Sequence, residues 1–415
     1  RPMRDLGPDR PLIVVTFLLA AYGLLTLYSA GQTDVVTQAH GVWLRQLVWM
    51  AIGVVAMAVV FRFSFRLVEW LAPAAYIVAI VLLLLTLAVG TGQGTAASSK
   101  SWLAIGGHQI GQPAELAKVA VILMLARYLS GLRESPRNLR ELIGPCLIAG
   151  VPFLLVLKQP DLGSAIVFVG ILFLMLFWSG VKPSLLFMLA SPGLSLLLAF
   201  NTWTWGLWMI LLAVLLFVWR PYVVEGVFLY VVNSVMGALA IPLWQRLAPY
   251  QQNRLLTFLN PEIDPRAAGY HAIQSRVAIG SGGWFGNGFA DGPQKRLAFL
   301  PAQHTDFIFS VVGEELGFVG VLAALILFLM LFLVLLRIAR RATDPFASLV
   351  VFGILALFFT HVFENVGMTV NLMPITGIPL PFFSYGGSFF LVCCMSVGLV
   401  LRAAWDARLS GYADV

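Results

Sequence analysis

The sequence predicts an all-α, polytopic membrane protein with about 10–12 transmembrane helices and one long extracytoplasmic loop. Hydrophobic residues make up 60% of the 415-residue chain, charged residues make up only 11%, and the mean hydropathy is +0.91. These values lie outside the range of soluble domains. Apolar runs of about 20 residues, the length of helix that crosses a bilayer, recur along the chain. Because the runs are continuous and do not alternate with polar residues, they indicate helices and exclude a transmembrane barrel.

Twelve apolar runs are the predicted spans, and we expect residues 1–415 to form one membrane domain. The first run is longer than the apolar part of a signal peptide, so we expect it to remain as an uncleaved first helix. In chain order, the predicted spans are 11–30, 43–61, 69–90, 113–131, 142–158, 161–179, 183–200, 205–219, 225–244, 307–337, 346–366 and 386–402.

The positive charges predict how the chain is oriented in the membrane. If the N-terminus is placed inside, most of the 26 lysines and arginines lie on the cytoplasmic side, which is the usual bias of membrane proteins. Both termini are then predicted to face the cytoplasm. The net charge of +7 lies mainly in short connections between spans, so its expected partners are lipid phosphates and not nucleic acid. All three cysteines lie in apolar runs, and no spacing is typical of a metal site, so disulfides and zinc are not expected.

One connection, residues 245–306, is much longer than the others and is predicted to lie outside the membrane. Long loops in compact proteins usually carry function or are disordered. This loop has turn-forming and glycine-rich stretches with little capacity for its own core. Residues 254–259 combine an arginine with apolar side chains, which predicts contact with the membrane surface. The glycines at 280–288 resemble a phosphate-binding loop, but no strand precedes them, so nucleotide binding is not predicted.

Asp306 lies where this loop turns into an apolar helix, in the stretch PAQHTDFIFSVVGEELG. An ionisable carboxylate at the edge of a bilayer is costly and is therefore a functional candidate. Two functional interpretations remain open: a general base in a lipid-linked reaction, or a coupling charge in a transporter. A third interpretation is structural, since an acid here could cap the helix that follows. The tandem Glu314-Glu315 deeper in the same span is interpreted as structural or gating.

Two predicted helix starts on the outer side carry the same Gln-Pro-carboxylate pattern. The first contains Gln112 and Glu115, and the second ends in Asp161. Lys118 follows Glu115 by one turn, so the two side chains can pair. Helix N-termini attract anions, and basic side chains strengthen such a site, so the pattern predicts a site for a diphosphate. The basic residues predicted to border it are Lys118, Lys158 and Arg45.

Six ordered motifs carry a resemblance to a known family. The chain resembles the SEDS family (shape, elongation, division and sporulation), typified by RodA and FtsW, and its motifs are closer to the RodA branch. The resemblance runs through nearly the whole chain. The motifs are WLRQLVW at 43–49, SWLAIGGHQIGQPAELAK at 101–118, KQPDLGSA at 158–165, RLLTFLNPEIDPRAAGYHAIQSRVAIGSGGWFGNG at 254–288, LPAQHTDFIFSVVGEELGFVG at 300–320 and ENVGMTVNLMPITGIPLPFFSYGGSFF at 364–390.

The resemblance implies a peptidoglycan polymerase in the bacterial cytoplasmic membrane, which joins lipid II disaccharides at its outer face for cell elongation and shape. It implies lipid II and the growing lipid-linked glycan as ligands and a class B penicillin-binding protein as partner. Asp306 matches the essential loop aspartate of the family. The other residues that match family motifs are Trp102, Glu115, Lys118, Arg45 and Asp161.

The sequence departs from the family pattern in three places. Ala114 replaces the serine of the family motif QPSE, and Ala302 replaces the glutamate of LPE. A role for a hydroxyl at the first position and for an acid at the second is therefore not expected. The family has ten spans, whereas twelve are predicted here, and the surplus is assigned to an extra hairpin within 183–225. An inserted pair keeps the long loop outside.

Diphosphate is already a good leaving group, so the reaction implied by the resemblance needs one base and positive charge but no acid for the leaving oxygen. Asp306 is the predicted base. Lys118 and Arg45 are predicted to stabilise the diphosphate, with a divalent cation such as Mg²⁺ left open as an addition. No other cofactor is expected. The full set of predicted substrate-binding residues is Lys118, Glu115, Trp102, Arg45, Gln112, Asp161, Lys158, Arg254, Arg276, His304, Thr305 and Ser384.

Two alternatives to an enzyme remain. A transporter or flippase of the same lipid precursor would also need buried charges, and it predicts inverted repeats with broken helices, of which the sequence shows no convincing sign. A non-catalytic scaffold for a penicillin-binding protein would tolerate changes at Asp306. The segment GIPLPFFSYGG at 377–387 interrupts the path into the last span and is predicted to line protein or a cavity.

Overall fold

The computed structural model describes residues 9–35, 37–92, 101–105, 108–219, 221–247, 249–260, 268–300 and 302–413. These residues form a bundle of helices with a single two-stranded hairpin. The hairpin is antiparallel and joins β1 Leu103–Ile105 to β2 His108–Gly111. The helices are α1 Arg10–Ala30, α2 Val42–Phe61, α3 Phe65–Val89, α4 Pro113–Ser130, α5 Ile143–Lys158, α6 Leu162–Trp178, α7 Pro183–Leu198, α8 Thr202–Trp219, α9 Val223–Arg246, α10 Pro249–Leu259, α11 Ala268–Ser281, α12 Pro293–Arg296, α13 Ile308–Arg341, α14 Pro345–Thr369 and α15 Gly387–Ala413.

Every predicted span coincides with one of these helices. In the described part of the chain, nine helices are long and apolar enough to cross a membrane. The apolar helices α6 and α7 are shorter, and α4 carries Glu115, Lys118 and Arg127 along its 18 residues. The prediction of an all-α, polytopic membrane protein is therefore confirmed.

Helices α14 and α15 lie at the centre of the bundle. Within an apolar stretch of 18 residues in each helix, 78% of the residues are buried in α14 and 72% in α15. The corresponding share in the peripheral helix α2 is 17%. Helix α14 packs against α4, α6, α13 and α15, and α15 packs along α2. A polar side chain on α14 therefore faces other helices and not lipid.

The long loop is more helical than its turn residues predicted. It contains α10, α11 and α12, while residues 248, 261–267 and 301 lie outside the described residues. Helix α11 packs against α10 and α13, and its Ala272, Ser275 and Ala278 are buried. The loop thus uses the membrane bundle as its core, in keeping with the prediction that it lacks a core of its own.

The glycine-rich segment of the loop hydrogen-bonds to backbone groups at a break in α13. The break is at Gly317, whose φ of 61° and ψ of −159° are not helical. The carbonyl groups of Glu314 and Glu315 accept from the backbone of residues 287 and 288, at 3.0 and 3.1 Å. The N–H groups of residues 318 and 319 donate to the carbonyl groups of residues 283 and 284, at 2.9 and 3.1 Å. The loop segment 283–288 therefore pairs with backbone groups that would be costly to leave unsatisfied in a membrane protein.

Helices α7, α8 and α9 form a separate group, which includes the hairpin predicted at 183–225. Trp208, Met209 and Leu212 make a small core of their own. The Asn233 side chain accepts from Trp208 Nε1 at 3.3 Å and donates to Ser191 Oγ at 2.9 Å. Contact between this group and the main bundle runs chiefly through α6 and α7. The interpretation of the hairpin as an addition to the family fold stays a prediction.

The segment between α14 and α15 runs through the protein without forming a helix. Ile378, Leu380, Phe382, Phe383 and Ser384 are each at most 2% exposed. The prediction that this broken path is enclosed by protein is confirmed.

Candidate functional site

Asp306 lies in a turn whose backbone is held by three hydrogen bonds from other parts of the chain. The carbonyl oxygens of residues 304, 305 and 306 accept hydrogen bonds in succession. Their donors are the backbone N–H of Tyr385 at 2.9 Å, Ser384 Oγ at 2.6 Å and Asn365 Nδ2 at 2.9 Å. Asp306 is 8% exposed. Central helix α14 and the segment that follows it thus hold the candidate base in one place.

The turn around Asp306 also has a local cause. Ala302 has a φ of +48°, and its carbonyl oxygen accepts from the N–H groups of residues 305 and 307 at 3.0 and 3.3 Å. Helix α13 begins after its N-cap Phe307, so Asp306 lies one position before the cap. A substitution of a larger side chain at Ala302 would meet an unfavourable backbone conformation.

His304, two residues before Asp306, is half-buried and neutral at neutral pH. Burial, and to a smaller extent the nearby positive charge of Arg45, lowers the pKa of His304 to about 4. The ring lies 6.1 Å from that of Tyr385, measured between centroids. Arg45 itself is exposed near the start of α2. The structure therefore brings the predicted residues Arg45, His304, Thr305, Asp306 and Ser384 together.

Lys118 is fully buried and has two partners. Its Nζ atom donates to Glu115 Oε1 at 2.8 Å and lies 3.0 Å from His361 Nε2 on α14. The predicted pairing of Glu115 with Lys118 is therefore confirmed, although neither side chain is open to solvent. Glu364, also fully buried, lies one turn after His361 and within electrostatic range of Lys118.

The two Gln-Pro-carboxylate helix starts meet, as a common diphosphate site formed by both requires. Gln112 Nε2 donates to Asp161 Oδ2 at 2.7 Å, and Asp161 Oδ1 caps α6 by accepting from Ser164 N at 3.0 Å. Asp161 thus has a structural role in joining α4 to α6, whatever else it binds.

Four more predicted residues lie just before β1, at the end of α5, and on the loop helices α10 and α11. Trp102 is half-buried, and its backbone pairs with that of Thr91 in an isolated bridge at 2.9 and 3.0 Å. Lys158 ends α5 and is exposed. On the loop helices, Arg276 is exposed, and Arg254 lowers the pKa of His271 together with the larger effect of burial.

Sequence reasoning missed three residues of α14: His361, Glu364 and Asn365. All three are fully buried. Their spacing of three and four residues places them on one face of the helix. Polar side chains in the middle of an apolar span are costly and usually functional, so the signal was present in the sequence. What the sequence did not show was that this face turns toward both Lys118 and the turn at Asp306.

A second buried ionic cluster lies where the loop meets α1 and α13. Lys295 Nζ pairs with Glu315 Oε1 at 2.6 Å and donates to the Ser29 carbonyl oxygen at 3.0 Å. Glu314 accepts from the N–H groups of Gln294 and Lys295 at 2.6 and 3.2 Å. Of the two interpretations of Glu314-Glu315, structural or gating, these contacts support the structural one.

Across the described ranges, no group of three or more His, Cys, Asp or Glu side chains is placed to hold a metal ion. A dedicated metal cage made by these side chains is therefore not a feature of the described site.

The fold and the site define a polytopic membrane protein in which one central helix links a fixed aspartate to a buried lysine–glutamate pair. The chain belongs to the cell cycle protein family of FtsW, RodA and SpoVE, which matches residues 9–204 and 199–409. The resemblance noted from its motifs is thereby confirmed.

Named relatives match over nearly their full length. The chain is 35% identical to peptidoglycan glycosyltransferase RodA of Treponema pallidum (strain Nichols), with 95% of this chain and 96% of the relative covered. It is 36% identical to peptidoglycan glycosyltransferase MrdB of Escherichia coli (strain K12), with 95% of this chain and 92% of the relative covered.

Two solved structures share the fold. One is a chain from the structure described as "Structural coordination of polymerization and crosslinking by a peptidoglycan synthase complex", with a TM-score of 0.71 and 27% identity, covering 97% of this chain and 98% of that one. The other is the rod shape determining protein RodA of Thermus thermophilus, with a TM-score of 0.62 and 26% identity, covering 97% and 98%.

Proposed function

We propose that this protein is a peptidoglycan glycosyltransferase that joins lipid II disaccharides into glycan strands for cell elongation and shape. The observation that carries the proposal is the fixed turn at Asp306, held against the same face of α14 that contacts Lys118. Relatives at 35% and 36% identity that bear this activity in their names support it.

The proposed reaction forms one bond and breaks one. A sugar hydroxyl oxygen of one lipid-linked chain attacks the anomeric carbon of another, and the bond from that carbon to the diphosphate oxygen breaks. Asp306 accepts the proton of the attacking hydroxyl. The lipid diphosphate leaves as an anion, so positive charge near it lowers the barrier.

The burial of Lys118 refines its proposed role. Arg45 is exposed and can reach a substrate directly, whereas direct contact between Lys118 and a diphosphate requires the surrounding residues to move apart. With Lys118 buried in this way, its effect on the diphosphate is electrostatic, and the pairing with Glu115 at 2.8 Å reduces that effect. Trp102, Gln112, Lys158, Arg254 and Arg276 remain proposed substrate contacts around this centre.

We further propose that a divalent cation such as Mg²⁺, if it takes part, is held mainly by the phosphate oxygens of the substrate. The described residues offer no cage of three ligands for it, and Mg²⁺ commonly binds through phosphates and few protein groups.

The proposal places the site at the outer face of a bacterial cytoplasmic membrane, with both termini inside. The distribution of positive charge supports this orientation. A class B penicillin-binding protein is the proposed partner, because the structural neighbour described above comes from a complex that couples polymerization to crosslinking.

The decisive experiment is polymerisation of lipid II by the purified protein, with and without its partner and with and without EDTA. We expect the wild type to form glycan and Asp306→Asn to lose about 10²–10⁴-fold in rate, the usual contribution of a general base. Asp291→Asn is the matched control, because Asp291 lies on the same loop with its side chain 67% exposed. Near-normal activity of Asp306→Asn would show that the base is wrongly assigned. A wild type that made no glycan would favour the transporter or scaffold alternatives.

A further inference from the structure

Central helix α14 touches both halves of the proposed site from one face. His361 and Asn365 are separated by four residues, so their side chains lie one turn apart on the same side of the helix. Both are 0% exposed. Each residue contacts one half of the site: His361 contacts Lys118 of the pair Glu115–Lys118, and Asn365 contacts the turn at Asp306.

His361 bridges Lys118 and the broken segment after α14. Its Nδ1 atom lies 3.0 Å from the carbonyl oxygen of Pro379, and its Nε2 atom lies 3.0 Å from Lys118 Nζ. A carbonyl oxygen only accepts hydrogen bonds, so Nδ1 carries the ring proton. The Nε2 atom then has a free lone pair and accepts from the Lys118 ammonium group. This ammonium group is thereby held between a carboxylate and a neutral imidazole.

Asn365 makes the corresponding bridge on the other side. Its Nδ2 atom donates to the carbonyl oxygens of Asp306 at 2.9 Å and Ile378 at 2.8 Å. Residues 378 and 379, which are adjacent in the broken segment, are therefore held by Asn365 and His361 respectively. One helix face and two adjacent residues of the broken segment therefore link the turn at the proposed base to the buried ammonium group.

We propose that His361 and Asn365 are positioning residues that fix Lys118 and Asp306 relative to each other for the transfer reaction. The proposal rests on the proposed function. His361 is fully buried and acts through Lys118. A loss of either bridge leaves the charges present but displaces them, and a displacement of about 1 Å at a reacting centre can cost about 100-fold in rate.

The test uses two substitutions of His361, each of which can keep one of its two contacts and loses the other. In His361→Gln, the longer side chain can place its amide oxygen near the former Nε2 position and accept from Lys118. In His361→Asn, the shorter side chain can place its amide N–H near the former Nδ1 position and donate to Pro379, but it does not reach Lys118. The matched control is Ser396→Ala, since Ser396 is fully buried on α15 and its hydroxyl donates to Val392 O at 2.8 Å.

Purified variants are compared with wild type by lipid II titration, and their melting temperatures are recorded. We expect His361→Asn to lower kcat about 10–100-fold with little change in KM, because the contact acts in the transition state. His361→Gln should recover most of that loss. In a double-mutant cycle, His361→Asn should cost little further activity once Lys118→Met is present, because both changes remove the same interaction.

The outcomes separate this inference from the proposed function. If wild type polymerises lipid II and His361→Asn is as active as Ser396→Ala, the inference is overturned and the proposed function stands. Equal losses in His361→Asn and His361→Gln, or an additive loss in the double variant, would also overturn it. If wild type makes no glycan under conditions where it binds lipid II, the proposed function fails and the inference fails with it.

Discussion

At the scale of single residues, the neighbourhood of Asp306 is arranged so that its histidine stays uncharged. Burial and, to a smaller extent, the charge of Arg45 together lower the pKa of His304 from 6.5 to about 4. A neutral imidazole can still exchange hydrogen bonds with a substrate, whereas a second cation beside Arg45 would be repelled. Of these two side chains, only that of Arg45 then carries a positive charge.

The lowered pKa of His304 predicts a dependence of stability on pH. Between pH 6.5 and about 4, the unfolded chain binds a proton at this residue and the folded chain does not, so stability falls as the pH is lowered through this window. The loss is at most about 3.5 kcal/mol, at about 1.4 kcal/mol per pKa unit. We expect the melting temperature of wild type in detergent to drop more between pH 7 and pH 4.5 than that of His304→Gln. Parallel curves for the two proteins would contradict the prediction.

The same residues show what a sequence can and cannot reveal about a site. Asp306, Glu115 and Lys118 were predictable because each is a charge placed against an apolar run, and a spacing of three residues implies pairing on one helix face. The contact from His361 to Lys118 joins residues 243 positions apart. It depends on how α14 packs against α4, which hydropathy does not encode.

At the scale of elements, the long loop is attached to the bundle by buried charge as well as by backbone pairing. Lys295, which belongs to the short helix α12, is 0% exposed and reaches Glu315 on α13 and Ser29 at the end of α1. The adjacent Arg296 pairs with Asp34 at 3.1 Å, but both side chains are about half exposed, at 44% and 50%. Two neighbouring cations on one helix thus experience very different environments.

This difference predicts unequal effects of two neighbouring substitutions. Lys295→Met leaves Glu315 buried without its cation, which typically costs about 3–5 kcal/mol. Arg296→Ala removes an exposed ion pair, for which about 0–1 kcal/mol is usual. Thermal unfolding in detergent should therefore show a clear loss for Lys295→Met and little change for Arg296→Ala. The double variant Lys295→Met with Glu315→Leu should recover much of the loss. Similar melting temperatures for the two single variants would argue against an ionic attachment of the loop.

The elements also show where prediction from sequence stops. All twelve predicted spans coincide with helices, because each apolar run is close to the length that crosses a bilayer. Helix α11 was missed because its sequence, AGYHAIQSRVAIGS, is flanked by turn residues and owes its burial to α13. The glycines at 280–288 were compared with a phosphate-binding loop, whereas the structure pairs this stretch with the break at Gly317.

At the scale of the whole molecule, the polar contacts separate into two ends. At one end, Asp9 pairs with Arg337 at 2.7 Å and Arg408 at 2.9 Å, which brings the start of α1 together with the ends of α13 and α15. At the other end lie the pair of Asp34 with Arg296 and the turn at Asp306. Each of these ion pairs joins segments that the charge distribution predicts to lie on the same side of the membrane. The fold is therefore internally consistent with the proposed orientation.

This orientation can be tested by labelling single cysteines from either side. Cys146, Cys393 and Cys394 would first be replaced by alanine to give a cysteine-free protein that still polymerises lipid II. Asp291→Cys and Glu134→Cys would then introduce thiols at exposed acidic positions, where the native side chains are 67% and 66% exposed.

Because the positive-inside bias places residue 134 in the cytoplasm and residue 291 outside, a membrane-impermeant maleimide should label only Asp291→Cys in intact spheroplasts. Glu134→Cys should react only after the membrane is permeabilised. The reverse pattern would put Asp306 on the cytoplasmic side, where it could not act on a glycan strand outside the membrane, so labelling tests the proposed place of the reaction independently of activity.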